Sequence, residues 1–297
     1  MKQKKIILLL TIFIKYTSFA QSYVAINVDN DLYFGTDRYY SSGIFLEYGY
    51  KQKGDSLNRF KTQHWTLGQE ITTPHLRLTQ QLDKIDYPYN GWLFLGFTKE
   101  VFQHPKRGYG YGFQGGTTGE TASLAKPVQN AYHKIVLGLP PLSWAATQEQ
   151  AFHVNFFITS YKAFSILKQL DAVFLGRGQW GTYRSSLLTR LGIQWSNFEG
   201  LPFFGHRLEN LKKGIAFYMG IQSEYRWHDY AVEGSLFRSN ATMKVEAVPL
   251  KQEWEGGFLF QQRPWRFAVF YNNASRDVKT QKFSRHQYLN ITLTRLF

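Results

Sequence analysis

The stretch Gly214-Ile215-Ala216-Phe217-Tyr218-Met219-Gly220-Ile221-Gln222-Ser223 alternates with a period of two. Ile215, Phe217, Met219 and Ile221 are all apolar, whereas the even positions mix Ala216, Tyr218, Gly220 and Gln222. A strand with lipid on one side and water or a filled lumen on the other shows that asymmetry. Tyr23–Asp29, Gly43–Tyr50, Trp92–Phe97 and Phe267–Tyr271 are of the same kind. They are short, rich in aromatic and β-branched residues, and bounded by Gly, Asn, Asp or Pro. Gln287–Phe297 also alternates, with Leu289, Ile291, Leu293 and Phe297 on one side. Its aromatic end resembles the last strand of outer-membrane barrels. Arg295 breaks that apolar side, and near an interface it is expected to snorkel. A soluble β-sandwich with this many two-sided aromatic strands would aggregate.

The 297 residues suit one barrel of moderate size, and no linker or repeat divides them. At the front, Lys2, Lys4 and Lys5 precede the apolar run Ile6 to Ile14, and Ser18-Phe19-Ala20 offers a cleavage point before Gln21. Residues 1–20 therefore read as a signal peptide and 21–297 as the mature barrel. About nine apolar residues fall short of the roughly 20 that a spanning helix needs. The expected class is an all-β, antiparallel transmembrane barrel in a Gram-negative-type outer membrane. With no cysteine, disulfides, thiolate nucleophiles and thiolate metal sites are excluded. The net charge of +14 calls for an anionic partner. Its scatter among aromatics favours phosphate-bearing lipid over nucleic acid.

One stretch leaves the strand pattern. In Pro127–Leu137, Val128, Ala131, Tyr132, Ile135 and Val136 fall on one helical face. Pro127 suits a first helical position, Gly138 a C-terminal cap and Pro140-Pro141 a stop. This predicts a short helix in a long external loop, with Gln129 and His133 on one face.

Three constellations could carry chemistry. The first is Asp29-Asn30-Asp31 followed by Thr36-Asp37-Arg38-Tyr39-Tyr40-Ser41-Ser42-Gly43, hard oxygen donors that suit calcium. On an unbroken strand Asn30 would face away from its two neighbours, so joint action needs the strand to end, which Phe34-Gly35 permits. A solvated strand end and a turn is the plainer account from composition alone. The second is His133, a residue type suited to a general base near neutral pH, with Gln129 placed to orient it. The third is Ser284 and His286, two apart on a strand, as a Ser/His phospholipase dyad would require.

The first block resembles the opening signature of the lipid A 3'-O-deacylase family, LpxR. Further blocks follow in the family's order. Gln69-Glu70-Ile71-Thr72-Thr73-Pro74, Asp86-Tyr87-Pro88-Tyr89-Asn90-Gly91-Trp92-Leu93 and Val128-Gln129-Asn130-Ala131-Tyr132-His133 are each similar to a family motif, as is Trp144 through Glu149. The resemblance is specific over residues 23–150; beyond them, Tyr230-Ala231-Val232-Glu233-Gly234 looks related.

This resemblance implies a twelve-stranded barrel with its active site between the wall and a loop helix, near the outer leaflet. It implies Ca²⁺-dependent hydrolysis of the 3'-linked acyl chains of lipid A in lipopolysaccharide. Carried over by position, His133 is the base that activates water, Asn30 and Asp31 form the calcium and oxyanion site, and Gln129 supports His133. Ser41 stands where the family usually has Thr. Ser42 replaces an Asn, Tyr87 replaces an Arg, and Leu139 stands where some members carry a glutamate after the His, so that contribution is either missing or supplied elsewhere, with Glu149 a candidate. A monomer is expected. The competing expectation is a non-enzymatic barrel, a pore or adhesin.

Overall fold

The computed structural model describes residues 21–52, 60–205, 213–237 and 243–297, so the signal peptide expected over residues 1–20 lies outside them. Twelve strands follow one another around a closed antiparallel barrel. They are β1 (Ser22–Asn30), β2 (Tyr39–Lys51), β3 (Phe60–Thr73), β4 (Asn90–His104), β5 (Arg107–Thr118) and β6 (Phe152–Leu167), then β7 (Leu170–Gly181), β8 (Arg184–Ser196), β9 (Lys213–Asp229), β10 (Leu250–Gln262), β11 (Trp265–Ser275) and β12 (Arg285–Leu296). β1 closes onto β12 in a register running from Tyr23 opposite Leu296 to Asn30 opposite Leu289. Closure leaves no sheet edge, the condition for strands in hydrocarbon. No helix among the described residues is long and apolar enough to cross a membrane.

The period-two reading of β9 holds. Phe217, Met219 and Ile221 face outward and are exposed in the isolated chain, while Ala216 and Tyr218 are buried inside. At the end of β12, Arg295 points outward with Leu293 and Phe297. Its guanidinium lies 5.2 Å from the Phe297 ring centre and 5.7 Å from that of Trp265. The aromatics cover its stem and carry the charge toward the interface.

The two rims differ. One carries the two-residue turns 105–106, 168–169 and 263–264, and the other carries the long connections 31–38, 74–89, 119–151, 230–249 and 276–284 beside one two-residue turn, 182–183. In outer-membrane barrels the long loops face outward. Loop residues and inward-facing side chains occupy part of the lumen. Leu201 and Phe204, from the connection after β8, pack on Phe102, Tyr161 and Tyr218. Toward the long-loop rim, the one-turn helix α2 (Tyr230–Glu233) sets Tyr230 and Ala231 against Trp92 and Tyr183, whose rings stack at 4.4 Å.

The loop helix forms slightly earlier than its sequence suggests. α1 spans Ala125–Tyr132 and runs into a wider π turn over His133–Leu137. Pro127 is thus the third helical residue rather than the first, and costs nothing there because the first-turn N–H groups have no partner within the helix. Gly138, at φ 65°, closes the end as expected, with its N–H donating to the His133 carbonyl. Ile71, Tyr89, Ala125, Leu142 and Trp144 form a small core that clamps α1 to the outside of the wall. Gly91 makes the approach possible: a Cβ there would sit 2.0 Å from Ser123 Oγ and 2.3 Å from Ala125 Cβ.

Candidate active site

The end of β1 decides which side chains can act together. Asp29 points into the lumen, where the Tyr40 hydroxyl donates to it at 2.5 Å and Asn290 Nδ2 at 2.5 Å. Asn30 points the other way, toward α1. The strand then stops, and a 3-10 turn over Leu32–Phe34, ended by Gly35 at φ 67°, folds Asp31 beneath it. On β2, Tyr40 pairs with Thr72 and Ser42 with Ile71, so Ser41 is the extra residue of a β-bulge. The bulge turns Ser41 outward beside Ser42 instead of leaving it in the barrel.

These features meet the loop helix in a groove of about 280 Å³ between the wall and α1. Asn30, Asp37, Ser41, Gln129 and His133 supply its polar surface. Leu32, Ile71, Val128, Tyr132 and Leu137 supply an apolar one. His133 is 2% exposed, and its Nε2 lies 3.0 Å from Asp37 Oδ2. A carboxylate this close favours a ring proton on Nε2 and a free Nδ1 lone pair, while Asp37 Oδ2 itself is buried without a hydrogen bond of good geometry. Nδ1 is buried without a hydrogen-bond partner. Asp37 is itself held by Arg77, whose Nε is 3.3 Å from the same Oδ2.

Four of the residues singled out from sequence, His133, Asn30, Ser41 and Gln129, therefore line one groove. Their roles differ in part from expectation. Gln129 shares a face with His133, but its Nε2 donates to Ser41 Oγ at 3.5 Å, and its Oε1 is buried with no partner. The group that orients His133 is Asp37, which sequence analysis placed in the opening block without a role. Glu149, the candidate to stand in for the missing glutamate, instead offers its backbone carbonyl to Thr118 and Tyr230.

Asp31 lies behind the groove rather than in its lining. Its Oδ2 accepts from Thr36 Oγ1 at 2.8 Å and from the Arg38 N–H at 3.0 Å. Burial, reinforced by the charge of Asp37, pushes its carboxyl up to about 7 against these two hydrogen bonds. Asn30 Oδ1 accepts from the Leu32 N–H at 2.6 Å. Among the described residues no three acidic or histidine side chains converge on one metal position. The local donors are nevertheless hard oxygens, and the orphaned Gln129 Oε1 would gain a partner from a cation. The donor set fits calcium in chemistry.

Ser284 and His286 do not form a dyad. Ser284 is exposed just before β12, while His286 is buried with Nε2 donating to the Tyr40 carbonyl at 2.8 Å. No hydrogen bond joins the two among the described contacts.

A family model described as "Outer membrane protein LpxR" matches residues 6–297. The chain belongs to the LpxR family. It is an outer-membrane protein, and its fold agrees with that membership. LpxR from Salmonella typhimurium matches with a TM-score of 0.75 and 17% identity, over 93% of this chain and 100% of that one. The β domain of the Bordetella autotransporter BrkA matches at TM-score 0.48 and 8% identity, over 94% of this chain and 98% of that one. The translocator domain of the autotransporter NalP from Neisseria meningitidis matches at TM-score 0.47 and 7% identity, over 100% and 95%. No curated protein sequence matches the chain.

Proposed function

We propose that this LpxR-family protein is a lipid A deacylase that hydrolyses the 3'-linked acyl ester with a His-activated water. The observation that carries this reading is the buried His133–Asp37 pair facing an exterior, half-apolar groove with Nδ1 unpartnered. An acyl chain can enter such a groove sideways from the outer leaflet without leaving hydrocarbon. Leu32, Ile71, Val128 and Leu137 would hold it.

His133 Nδ1 takes a proton from water as the water oxygen attacks the ester carbonyl carbon. Asp37 keeps the Nε2 proton in place and offsets the imidazolium that forms. When the ester C–O bond breaks, His133 returns the proton to the leaving sugar oxygen, so no covalent intermediate is needed. Ser41 Oγ and Gln129 Nε2, joined by a 3.5 Å hydrogen bond, line the groove beside His133. Calcium belongs to the reading as a proposal: Asn30, Asp31 and the free Gln129 oxygen would hold it. When bound, it supplies Lewis-acid stabilisation of the oxyanion.

The test is fatty-acid release from lipid A by the full chain in proteoliposomes, with calcium or with a chelator. Release that needs calcium and His133 is expected, and Ser284→Ala should leave it intact. Undiminished release by His133→Ala would show that the groove is not the active site.

A further inference from the structure

Beside the groove, three loops bring cations together. Arg38 comes from the connection after β1, His75 and Arg77 from that after β3, and Lys282 from that before β12. Arg77 is taken up by Asp37. The other three surround the ring of Phe283. The Arg38 guanidinium lies 3.7 Å from its centre, the His75 ring 5.0 Å edge-on, and Lys282 Nζ 5.7 Å away. Lys282 Nζ is also 3.5 Å from His75 Nε2.

The nearby carboxylate does not neutralise them. Asp86 accepts from the Tyr39 hydroxyl at 2.8 Å and from the backbone N–H groups of His75 and Lys282 at 2.9 and 3.2 Å. It ties two loops together by their backbones and forms no ion pair with the Arg38 or Lys282 side chain. Among the described residues neither Arg38 nor Lys282 forms an ion pair, and Arg38 Nε is buried without an acceptor. Burial and the Lys282 charge hold His75 below its ordinary value, as expected for a ring beside unbalanced positive charge. Two cations without ion-pair partners and an imidazole gathered at one ring, with that ring behind the guanidinium, suit a phosphate.

We propose that Arg38, His75 and Lys282 form a cradle for a phosphate monoester borne on the sugar of the lipid substrate. This rests on the lipid A reading above and gives the substrate a second anchor, one residue along the chain from Asp37. A headgroup phosphate and free phosphate share the chemistry, so the test separates them.

The full chain in phosphatidylcholine vesicles is offered phosphorylated lipid A or phosphatase-treated lipid A. For Arg38→Gln/Lys282→Gln, KM for the phosphorylated form should rise on the order of 10-fold or more, with kcat little changed. On the treated form, the wild type and the double variant should coincide. Arg38→Lys, which keeps the charge, should recover most of the loss. Lys282→Gln alone, at an exposed position, should show a smaller rise even if the double variant folds poorly. An unchanged KM, or an equal loss on both lipids, overturns the cradle. Competition by inorganic phosphate that disappears in the double variant supports it; competition that persists undiminished places the phosphate elsewhere and overturns it. Should the wild type release no fatty acid, the deacylase reading fails, and binding of the two lipids in detergent micelles still decides the cradle. Tighter binding of the phosphorylated lipid, lost in the double variant, supports it, and equal binding of both overturns it.

Discussion

Inside the barrel, Arg226 shares Glu224 at 2.7 Å, Asp229 at 2.9 Å and Asp277 at 3.1 Å. Lys251 closes on Asp277 at 3.0 Å, and Arg190 on Glu255 at 2.9 Å. On the other side of the same wall, the groove keeps His133 Nδ1 and Gln129 Oε1 buried and unpaired. Both regions hold polar groups away from water, which costs free energy unless partners are supplied. The lumen meets its main charges with partners from the chain itself, although Arg177 Nε, Asn155 Nδ2 and His286 Nδ1 are also buried there without a hydrogen bond. The groove leaves the cost standing, as a site does when its partners arrive with a substrate. The lumen is where the fold is held; the groove is where the chemistry is expected.

That contrast can be broken by substitution on either side. The largest expected effect is on activity: His133→Ala should lower fatty-acid release on the order of 10³-fold while the barrel's urea midpoint stays unchanged. Asp37→Asn should lower kcat on the order of 10²-fold, because the ring loses both its fixed tautomer and its counter-charge. A lumen substitution should do the reverse. Arg226→Ala strands Glu224 and leaves Asp229 and Asp277 with one cation each, Arg184 and Lys251, and should destabilise the barrel by about 3–5 kcal/mol in urea unfolding, with activity per folded molecule near wild type. The smallest expected effect is that of Gln129→Ala, about 10-fold in kcat, measured with saturating lipid A. A Gln129→Ala loss as large as that of His133→Ala would mean that the amide, not the imidazole, dominates the site.

Much of the scaffold is legible in the sequence because lipid imposes a simple alternation. β9 and β12 show it residue by residue, and Arg295 is the exception that interfacial aromatics accommodate. The convergence of Asn30, Ser41, Gln129 and His133 was reachable through the ordered motifs between residues 23 and 150. The His133–Asp37 contact was not. It depends on β1 ending at Asn30, on the turn at Gly35 and on the bulge at Ser41, none of which has a period to read. Leu139 in place of a glutamate suggests Glu149, downstream of the helix, whereas the carboxylate beside His133 lies upstream in the first loop. The cationic cradle was hidden for the same reason: Arg38, His75 and Lys282 lie on three loops that only closure of the barrel brings together.

The most direct measurement is the mass spectrum of lipid A from cells expressing the wild type or His133→Ala at matched outer-membrane levels. The wild type should yield lipid A lighter by its 3'-linked acyl group, and His133→Ala should leave the full mass. Unaltered lipid A with the wild type, or the same mass loss with His133→Ala, would contradict the assignment of hydrolysis to this groove.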